Sequence, residues 1–198
     1  KAWCESTGNT FVCQSDKDGY HKVVIRKENE DNHQEPAKAA KAPGNKTLIM
    51  FSDDLDRAIA TFVLANGAAA TGKKVSIFFT FWGLNVIKKE HKPRVHKDFF
   101  GKMFSWMLPA SSKKLHLSQM SFMGMGDRLM RHIMHKKGIS QLEELRQQAM
   151  DAGVEFIACQ MTMDMMGIDR DELLDGIIVG GVATYMQRAE QANVNLFI

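Results

Sequence analysis

The sequence predicts an α/β fold in which a mostly parallel sheet is covered by helices on both faces. Three observations support this prediction. Strand-like and helix-like segments alternate along residues 46–198, the strand-like segments are short apolar runs, and glycines or capping residues mark most helix ends. Unbroken apolar runs are typical of strands that are buried on both faces, as the central strands of a parallel sheet are.

The first βα unit of this domain is the clearest in the sequence. Residues 47–51 form the first apolar strand, and residues 52–54 supply Ser and Asp side chains that can cap a helix. A helix is expected over residues 55–70 because its apolar side chains share one stripe, and Gly72 ends it. Residues 75–81 are the second central strand.

Residues 83–121 interrupt the alternation, and we interpret them as a partly helical insertion. Its basic stretch, residues 88–97, is interpreted as a solvated face, with an acidic partner, an anionic sulfur compound or a membrane surface as alternatives. Aromatic and Met residues are frequent in residues 99–107 and 122–134, and we expect these segments to pack between subunits.

The C-terminal half continues with helices and strands in turn. A helix carrying Leu129 and Ile133 ends at Gly138, and a second helix, residues 140–151, begins with Ser140 and Glu143 at capping-box spacing. The remaining expected elements are a strand at residues 154–158, a weaker strand at 176–179, a helix at 182–192 and a strand at 194–198.

The N-terminal segment has a different organisation. Residues 1–28 contain the end of a helix and two β-type runs around an Asp-Gly turn, which predicts a hairpin. Residues 29–45 lack periodicity and have the composition of a solvated linker. The expected domain begins at residue 46 and runs to residue 198.

Composition limits the classes of function. A net charge of +3 is too small to indicate a nucleic-acid partner. Three cysteines provide no disulfide framework and favour a reducing compartment, so we expect a cytoplasmic protein. No apolar run reaches the roughly 20 residues of a membrane span, although a weak membrane contact stays an alternative.

Cys159 is the candidate for chemistry because it directly follows a predicted central strand. Ligands of open α/β sheets bind beyond the carboxyl ends of the strands. A helical turn over residues 160–167 would stabilise a thiolate at Cys159 through its N-terminal amides. Trp82 and Gly83, at the end of the second strand, are candidates for the pocket wall. The alternative reading is a cysteine that packs as a small apolar residue.

Residues 154–168, VEFIACQMTMDMMGI, resemble the cysteine segment of the DsrE/DsrF-like sulfur-carrier superfamily, and most of all its DsrE2 branch. The resemblance extends over residues 46–198 and includes FTFWGL at residues 79–84, GMG at 124–126 and GGVATY at 180–185.

This resemblance implies a flavodoxin-like fold, assembly into homo-oligomers and a persulfide relay at Cys159. The implied partners are a sulfur-donor protein of the rhodanese or TusA type and a thiol acceptor, and no cofactor is implied. Sulfurtransferase activity stays undecided. The residues expected to shape the pocket are Trp82, Gly83, Gly124, Gly126, Met161, Met163, Gly180 and Gly181.

Residues 1–28 resemble the C-terminal tail of a TusA-like sulfur carrier, which suggests that a longer fusion protein precedes them. The Cys-Pro motif that carries the thiol in that family is absent, so Cys4 and Cys13 inherit no role.

Two further motifs, and two other functions, are alternative interpretations of this chain. His132 and His135 have a helical spacing that could serve a metal, but the charges around them favour a solvated helix face, so no metal site is expected. The short Gly124–Gly126 motif could cradle an anion at a helix N-terminus. It lacks the third glycine and the preceding strand of a dinucleotide fingerprint, so it is weak evidence for a nucleotide. Two functions compete with a sulfur carrier: a thiol-based redox protein and a non-enzymatic oligomeric binding module.

Overall fold

The computed structural model describes residues 10–17, 20–26, 44–90, 103, 106–119, 121 and 124–198. The chain forms two compact units, Lys1–Ala40 and Lys41–Ile198. In the first unit, strands β1 (Thr10–Lys17) and β2 (Tyr20–Arg26) pair antiparallel and confirm the predicted hairpin. The predicted Asp-Gly turn and the helix end before it lie outside the described residues.

The second unit contains a five-stranded sheet in the order β6-β5-β4-β3-β7, and every neighbouring pair of strands is parallel. Its strands are β3 (Asn45–Met50), β4 (Val75–Phe79), β5 (Glu155–Cys159), β6 (Ile178–Gly180) and β7 (Ala192–Phe197). Its helices are α1 (Leu55–Ala70), α2 (Met125–Lys136), α3 (Leu142–Asp151), α4 (Gln160–Met166) and α5 (Val182–Glu190). In the described residues, 3-10 helices span Phe81–Ile87, Ser112–Lys114 and Arg170–Glu172.

Alternating side chains of the central strands build a core on each face of the sheet. In β5, Phe156 and Ala158 join the larger core, where the Phe62 ring of α1 lies 5.7 Å from the Phe156 ring. Ile157 and Cys159 face the opposite side and pack with Tyr185 of α5. Helices therefore cover both faces of a parallel sheet, and the predicted fold class is confirmed.

Two predicted helix starts differ in detail. The capping box of α3 uses Gln141 and Glu144, one residue later than the predicted Ser140 and Glu143. Asp54 is the N-cap residue of α1, but its side chain makes no capping hydrogen bond. It instead accepts a hydrogen bond from Ser52 Oγ at 2.7 Å, which a sequence pattern does not reveal.

The insertion is described only in part. Lys88 is 3% exposed and pairs with Leu173 in an isolated β-bridge, so the predicted solvated face does not begin at this residue. Lys89 makes an ion pair with Asp175 at 3.0 Å. Residues 91–97 of the basic stretch lie outside the described residues. Within the described segments, no helix is long and apolar enough to cross a membrane.

Candidate functional site

Cys159 is the last residue of β5 and lies between two neighbouring strands of the sheet. It is also the N-cap residue of α4, which begins at Gln160. Its register partner on β6 is Gly180. The sequence-based position of Cys159, at the carboxyl end of a central strand, is therefore observed.

The side chain of Cys159 is buried rather than open at the surface. Only 2% of the residue is exposed, and its side chain packs in a cluster with Phe78, Ile157 and Tyr185. The Cys159 thiol is free of any disulfide. A reagent can therefore reach this thiol only if the packing around it opens.

Gly180 and Gly181 lie where the chain leaves β6 and enters α5. A Cβ atom on Gly180 would lie 2.9 Å from Thr184 Oγ1, so the missing side chain lets α5 approach the strand next to Cys159. Gly181 is the N-cap residue of α5, and a Cβ atom there would meet nothing within 4 Å. The two predicted glycines thus border the strand position of Cys159.

The segment after β4 is tied to the start of α4 by two threonines that sequence reasoning missed. The hydroxyl oxygens of Thr80 and Thr162 lie 3.1 Å apart, and Phe81 N donates to Thr162 Oγ1 at 3.4 Å. Thr162 is fully buried. A threonine at the end of an apolar strand was the available signal, because a buried hydroxyl needs a partner.

The predicted wall residues Trp82 and Gly83 lie in the 3-10 helix that follows. Trp82 is 43% exposed. Gly83 is buried, and its N–H donates to the Phe51 carbonyl oxygen at 2.8 Å. A Cβ atom at Gly83 would overlap the carbonyl oxygen of Met50. Gly83 therefore lets this helix close over the end of β3.

Met161 and Met163 point to different surroundings. Met161 is 59% exposed, whereas Met163 is 4% exposed and belongs to the larger core. Of these two predicted pocket residues, Met161 is thus the accessible one.

Gly124 and Gly126 begin α2, and both of their N–H groups donate to the carbonyl oxygen of Ser121. Gly124 is the N-cap residue, and its φ of 90° is a conformation that favours glycine. Gly126 lines a groove with Met125 and Leu129, and none of the residues that pack around Cys159 line this groove.

A second polar feature lies beyond the carboxyl ends of β3 and β4. Asn85, which is fully buried, donates from Nδ2 to Asp53 Oδ2 at 2.8 Å. Burial raises the pKa of Asp53, while the hydrogen bond from Asn85 opposes this shift. Asn85 Oδ1 has no hydrogen-bond partner among the described residues. Sequence reasoning named Asp53 as a helix cap and missed Asn85.

A cavity of about 450 Å³ lies at the opposite edge of the sheet, beside the amino ends of the strands. Its lining includes Lys46, Lys74 and the ion pair between Glu155 and Arg188. Glu155 and Cys159 are the first and last residues of β5, so this cavity lies at the amino ends of the strands and the candidate thiol at their carboxyl ends.

No group of three potential metal ligands occurs in the part of the chain that the structure describes. His132 and His135 are both exposed on α2, as expected for a solvated helix face. His91 and His96 lie outside the described residues.

Comparison with known proteins gives consistent results. Residues 43–197 match the model of the DsrE/DsrF/DrsH-like family. The chain is 45% identical over 152 residues to the uncharacterized protein YrkE of Bacillus subtilis (strain 168), covering 77% of this chain and 95% of YrkE. It is 35% identical over 155 residues to the sulfur carrier protein DsrE2 of Allochromatium vinosum, covering 76% and 96% of the two chains.

Among solved structures, the chain is similar to the ychN protein of E. coli. The TM-score is 0.45 at 11% sequence identity, with 78% of this chain and 99% of the ychN chain covered.

Proposed function

The chain belongs to the DsrE/DsrF/DrsH-like family, and from this membership we propose that it works in a sulfur relay with Cys159 as its persulfide-forming residue. A relative that is 35% identical carries the name sulfur carrier protein, which supports the general role. The specific residue is supported by one structural observation above the others. Cys159 ends a central parallel strand and directly precedes the first turn of a helix.

The position of Cys159 suits an attacking thiolate for two reasons. The carboxyl edge of a parallel sheet is where α/β proteins bind ligands. The first turn of α4 presents backbone N–H groups that have no partner within the helix, and such groups favour a negative charge nearby, although the Cys159 side chain makes no hydrogen bond to them in this structure.

The proposed transfer balances without an oxidant or a reductant. The Cys159 thiolate attacks the outer sulfur of a donor persulfide, the S–S bond of the donor breaks, and the donor leaves as a thiolate. Cys159 then carries the persulfide until an acceptor thiolate attacks the outer sulfur in the same way. One thiolate is consumed and one is released in each step.

Because Cys159 is buried, the proposal requires a way for the donor persulfide to reach its thiol. The thiol packs against Phe78, Ile157 and Tyr185, so a donor persulfide must wait for a transient opening or induce one. Burial would also protect the persulfide from solvent thiols between the two transfers.

The first prediction concerns sulfur loading. After incubation with a persulfide donor, the parent protein is expected to gain the mass of one sulfur atom, and Cys159→Ser is expected to gain none, because the acceptor sulfur is removed. Intact-protein mass spectrometry before and after reduction measures the gain. Cys13→Ser is the matched control, since Cys13 is an exposed thiol of the hairpin and should leave loading unchanged.

Equal loading of Cys159→Ser and the parent would refute this role for Cys159. Loading that disappears in Cys13→Ser and persists in Cys159→Ser would transfer the role to the hairpin.

The partners belong to the same proposal. A single thiol that carries sulfur needs a donor and an acceptor, and we propose a donor of the rhodanese or TusA type and a protein thiol as acceptor. Assembly into homo-oligomers remains part of the proposal as well.

The burial of Cys159 also favours one alternative, a non-enzymatic binding module in which this residue only packs. The two readings differ in the rate at which iodoacetamide alkylates Cys159 in the folded protein. Alkylation as slow as global unfolding supports the module, whereas faster alkylation indicates a native opening at the thiol.

A further inference from the structure

Helix α2 exposes a row of apolar side chains on its surface. Met125 is 70% exposed, Leu129 is 59% exposed and Ile133 is 38% exposed. These residues are four apart, so they form one stripe along the helix. A contiguous exposed apolar surface of this kind marks an interaction site more often than a random surface does.

The stripe forms one wall of a groove with a volume of about 730 Å³. Leu117, Ser118 and Gln119 also line it. Among the described lining residues the one carboxylate is that of Asp56, and both of its oxygens accept hydrogen bonds from Ser118, at 2.9 Å from N and 2.6 Å from Oγ. The groove is therefore mostly apolar, and the Asp56 carboxylate is already hydrogen-bonded to Ser118.

A second stripe on α2 is cationic and runs beside the apolar one. Arg128 and Lys136 supply its positive charges and His132 lies between them; all three residues are exposed and four apart. The single acidic residue of α2 is Asp127, which is 6% exposed and accepts a hydrogen bond from His116 Nδ1 at 2.6 Å. The exposed side of α2 thus presents cations without a free carboxylate.

We propose that this surface, here called the α2 groove, docks an acidic amphipathic helix of a partner protein. A concave apolar groove beside a helix fits the apolar face of another helix, and two methionines in its lining allow that face to vary. Carboxylates on the polar side of the docked helix would meet Arg128 and Lys136.

The charge of the α2 surface favours an acidic helix over a second copy of this chain as the occupant of the groove. Two copies that pair through their α2 grooves would bring two cationic stripes to one interface, and like charges there oppose association. An acidic partner turns the same cations into attractive contacts.

The inference takes from the proposed function only the expectation that the protein has a partner. Cys159 does not line the α2 groove. Cys159→Ser is therefore expected to bind the docked helix as the parent does, so the failure of one proposal can be told from the failure of the other.

The test uses the full chain and a fluorescein-labelled synthetic peptide that has Leu at helical i, i+3 and i+4 spacing and Glu elsewhere. A second peptide carries Lys in place of every Glu. Fluorescence anisotropy is expected to give a dissociation constant at least about tenfold lower for the acidic peptide. Its affinity should fall as salt concentration rises.

Variants locate the binding surface. Leu129→Glu and Lys136→Glu are each expected to weaken binding of the acidic peptide by about tenfold or more, because one blocks the apolar contact and the other reverses a charge. Met186→Glu is the matched control, since Met186 is 52% exposed on α5 and does not line the groove. Circular dichroism checks that each variant is folded.

Three results would overturn the proposal. The first is equal affinity for the two peptides, or binding that Leu129→Glu leaves unchanged. The second is displacement of the acidic peptide by vesicles of anionic phospholipid, which would assign the groove to a lipid surface. The third is self-association in sedimentation velocity that Leu129→Glu abolishes, which would assign the groove to a second copy.

Discussion

At the scale of single residues, Gly83 is a position where the fold has no room for a side chain. It lies in the 3-10 helix after β4, directly over the Met50 carbonyl group at the end of β3. The atom in the way belongs to the backbone of a buried central strand, so it cannot rotate aside as a side chain can.

The second prediction is therefore that Gly83→Ala lowers the free energy of unfolding by about 1–3 kcal/mol, the usual cost of forcing extra atoms into a packed core. Gly67→Ala in α1 is the control, because a Cβ atom at this exposed helical position meets nothing within 4 Å. We expect Gly67→Ala to be neutral or to raise stability by up to about 1 kcal/mol. Urea denaturation of the two variants measures the contrast, and equal stabilities would contradict the packing role of Gly83.

The residue scale also separates the position of Cys159 from its accessibility. The position of Cys159 at the end of a strand can be predicted from the sequence, because the apolar run of residues 154–158 directly precedes it. Its burial depends on Tyr185, which comes from a helix 26 residues later along the chain, and no local pattern indicates that contact.

At the scale of elements, β5 is joined to α5 by an ion pair. Arg188 donates from Nε to Glu155 Oε2 at 2.7 Å and from a terminal nitrogen to Glu155 Oε1 at 3.1 Å. Ser76 of β4 adds a hydrogen bond to Glu155 at 3.1 Å. The hydrogen bond from Arg188 is the main cause that lowers the pKa of Glu155.

The third prediction follows from the direction of this shift. Because the pKa of Glu155 is lower in the folded protein than the unfolded value near 4.5, its contribution to stability is present above that pH. The contribution is lost as the pH falls through the lower folded value. Glu155→Gln should cost about 1 kcal/mol of unfolding free energy at neutral pH and much less in acid, since the pair is partly exposed and screened by solvent.

Urea denaturation of the parent and Glu155→Gln at several pH values measures this difference. Asp164→Asn is the control, because Asp164 lies on α4 and is bonded to Gln160 of the same helix rather than to another element. A difference between parent and Glu155→Gln that stays constant down to strongly acidic pH would contradict the linkage.

At the scale of the whole molecule, the edge strand β7 offers a surface for assembly into oligomers. Strand β7 is the outermost strand of the sheet next to β3, and Val194, Leu196 and Phe197 on it are exposed. An edge strand with apolar side chains is a template for pairing with another chain. This surface is separate from the α2 groove.

The fourth prediction is that the full chain forms a homo-oligomer through β7. Leu196→Lys is expected to shift sedimentation velocity toward the monomer, because a charge on an edge strand opposes strand pairing. Val63→Lys on α1 is the control, as Val63 is 52% exposed and lies on a helix rather than on the edge strand. A parent protein that sediments as a monomer at all concentrations would contradict the prediction.

The same experiment bears on the sequence-based hypothesis that residues 122–134 pack between subunits. If Leu129→Glu dissociates the oligomer, that hypothesis holds, and the α2 groove is an interface between subunits rather than a docking site for an acidic helix. If Leu196→Lys alone dissociates it, the groove stays available to an acidic helix.

The sequence by itself determined the alternation of strands and helices in the second unit, the hairpin of the first unit and the strand-end position of Cys159. These features depend on local periodicity and on turn and cap residues, which act over a few neighbouring positions. Helix α1 spans the predicted residues 55–70, whereas β4 ends at Phe79 because Phe81 adopts a positive φ and starts a 3-10 helix.

Only the tertiary structure decided which distant residues meet. The tertiary structure places β7 beside β3 and the Asn85 amide beside the Asp53 carboxylate, and it packs Tyr185 in one cluster with Cys159. It also left the apolar stripe of α2 exposed, although its helical periodicity alone is that of a buried face. Burial is a property of what packs against a residue, and for these residues the packing partner, or its absence, is set by elements far away in the chain.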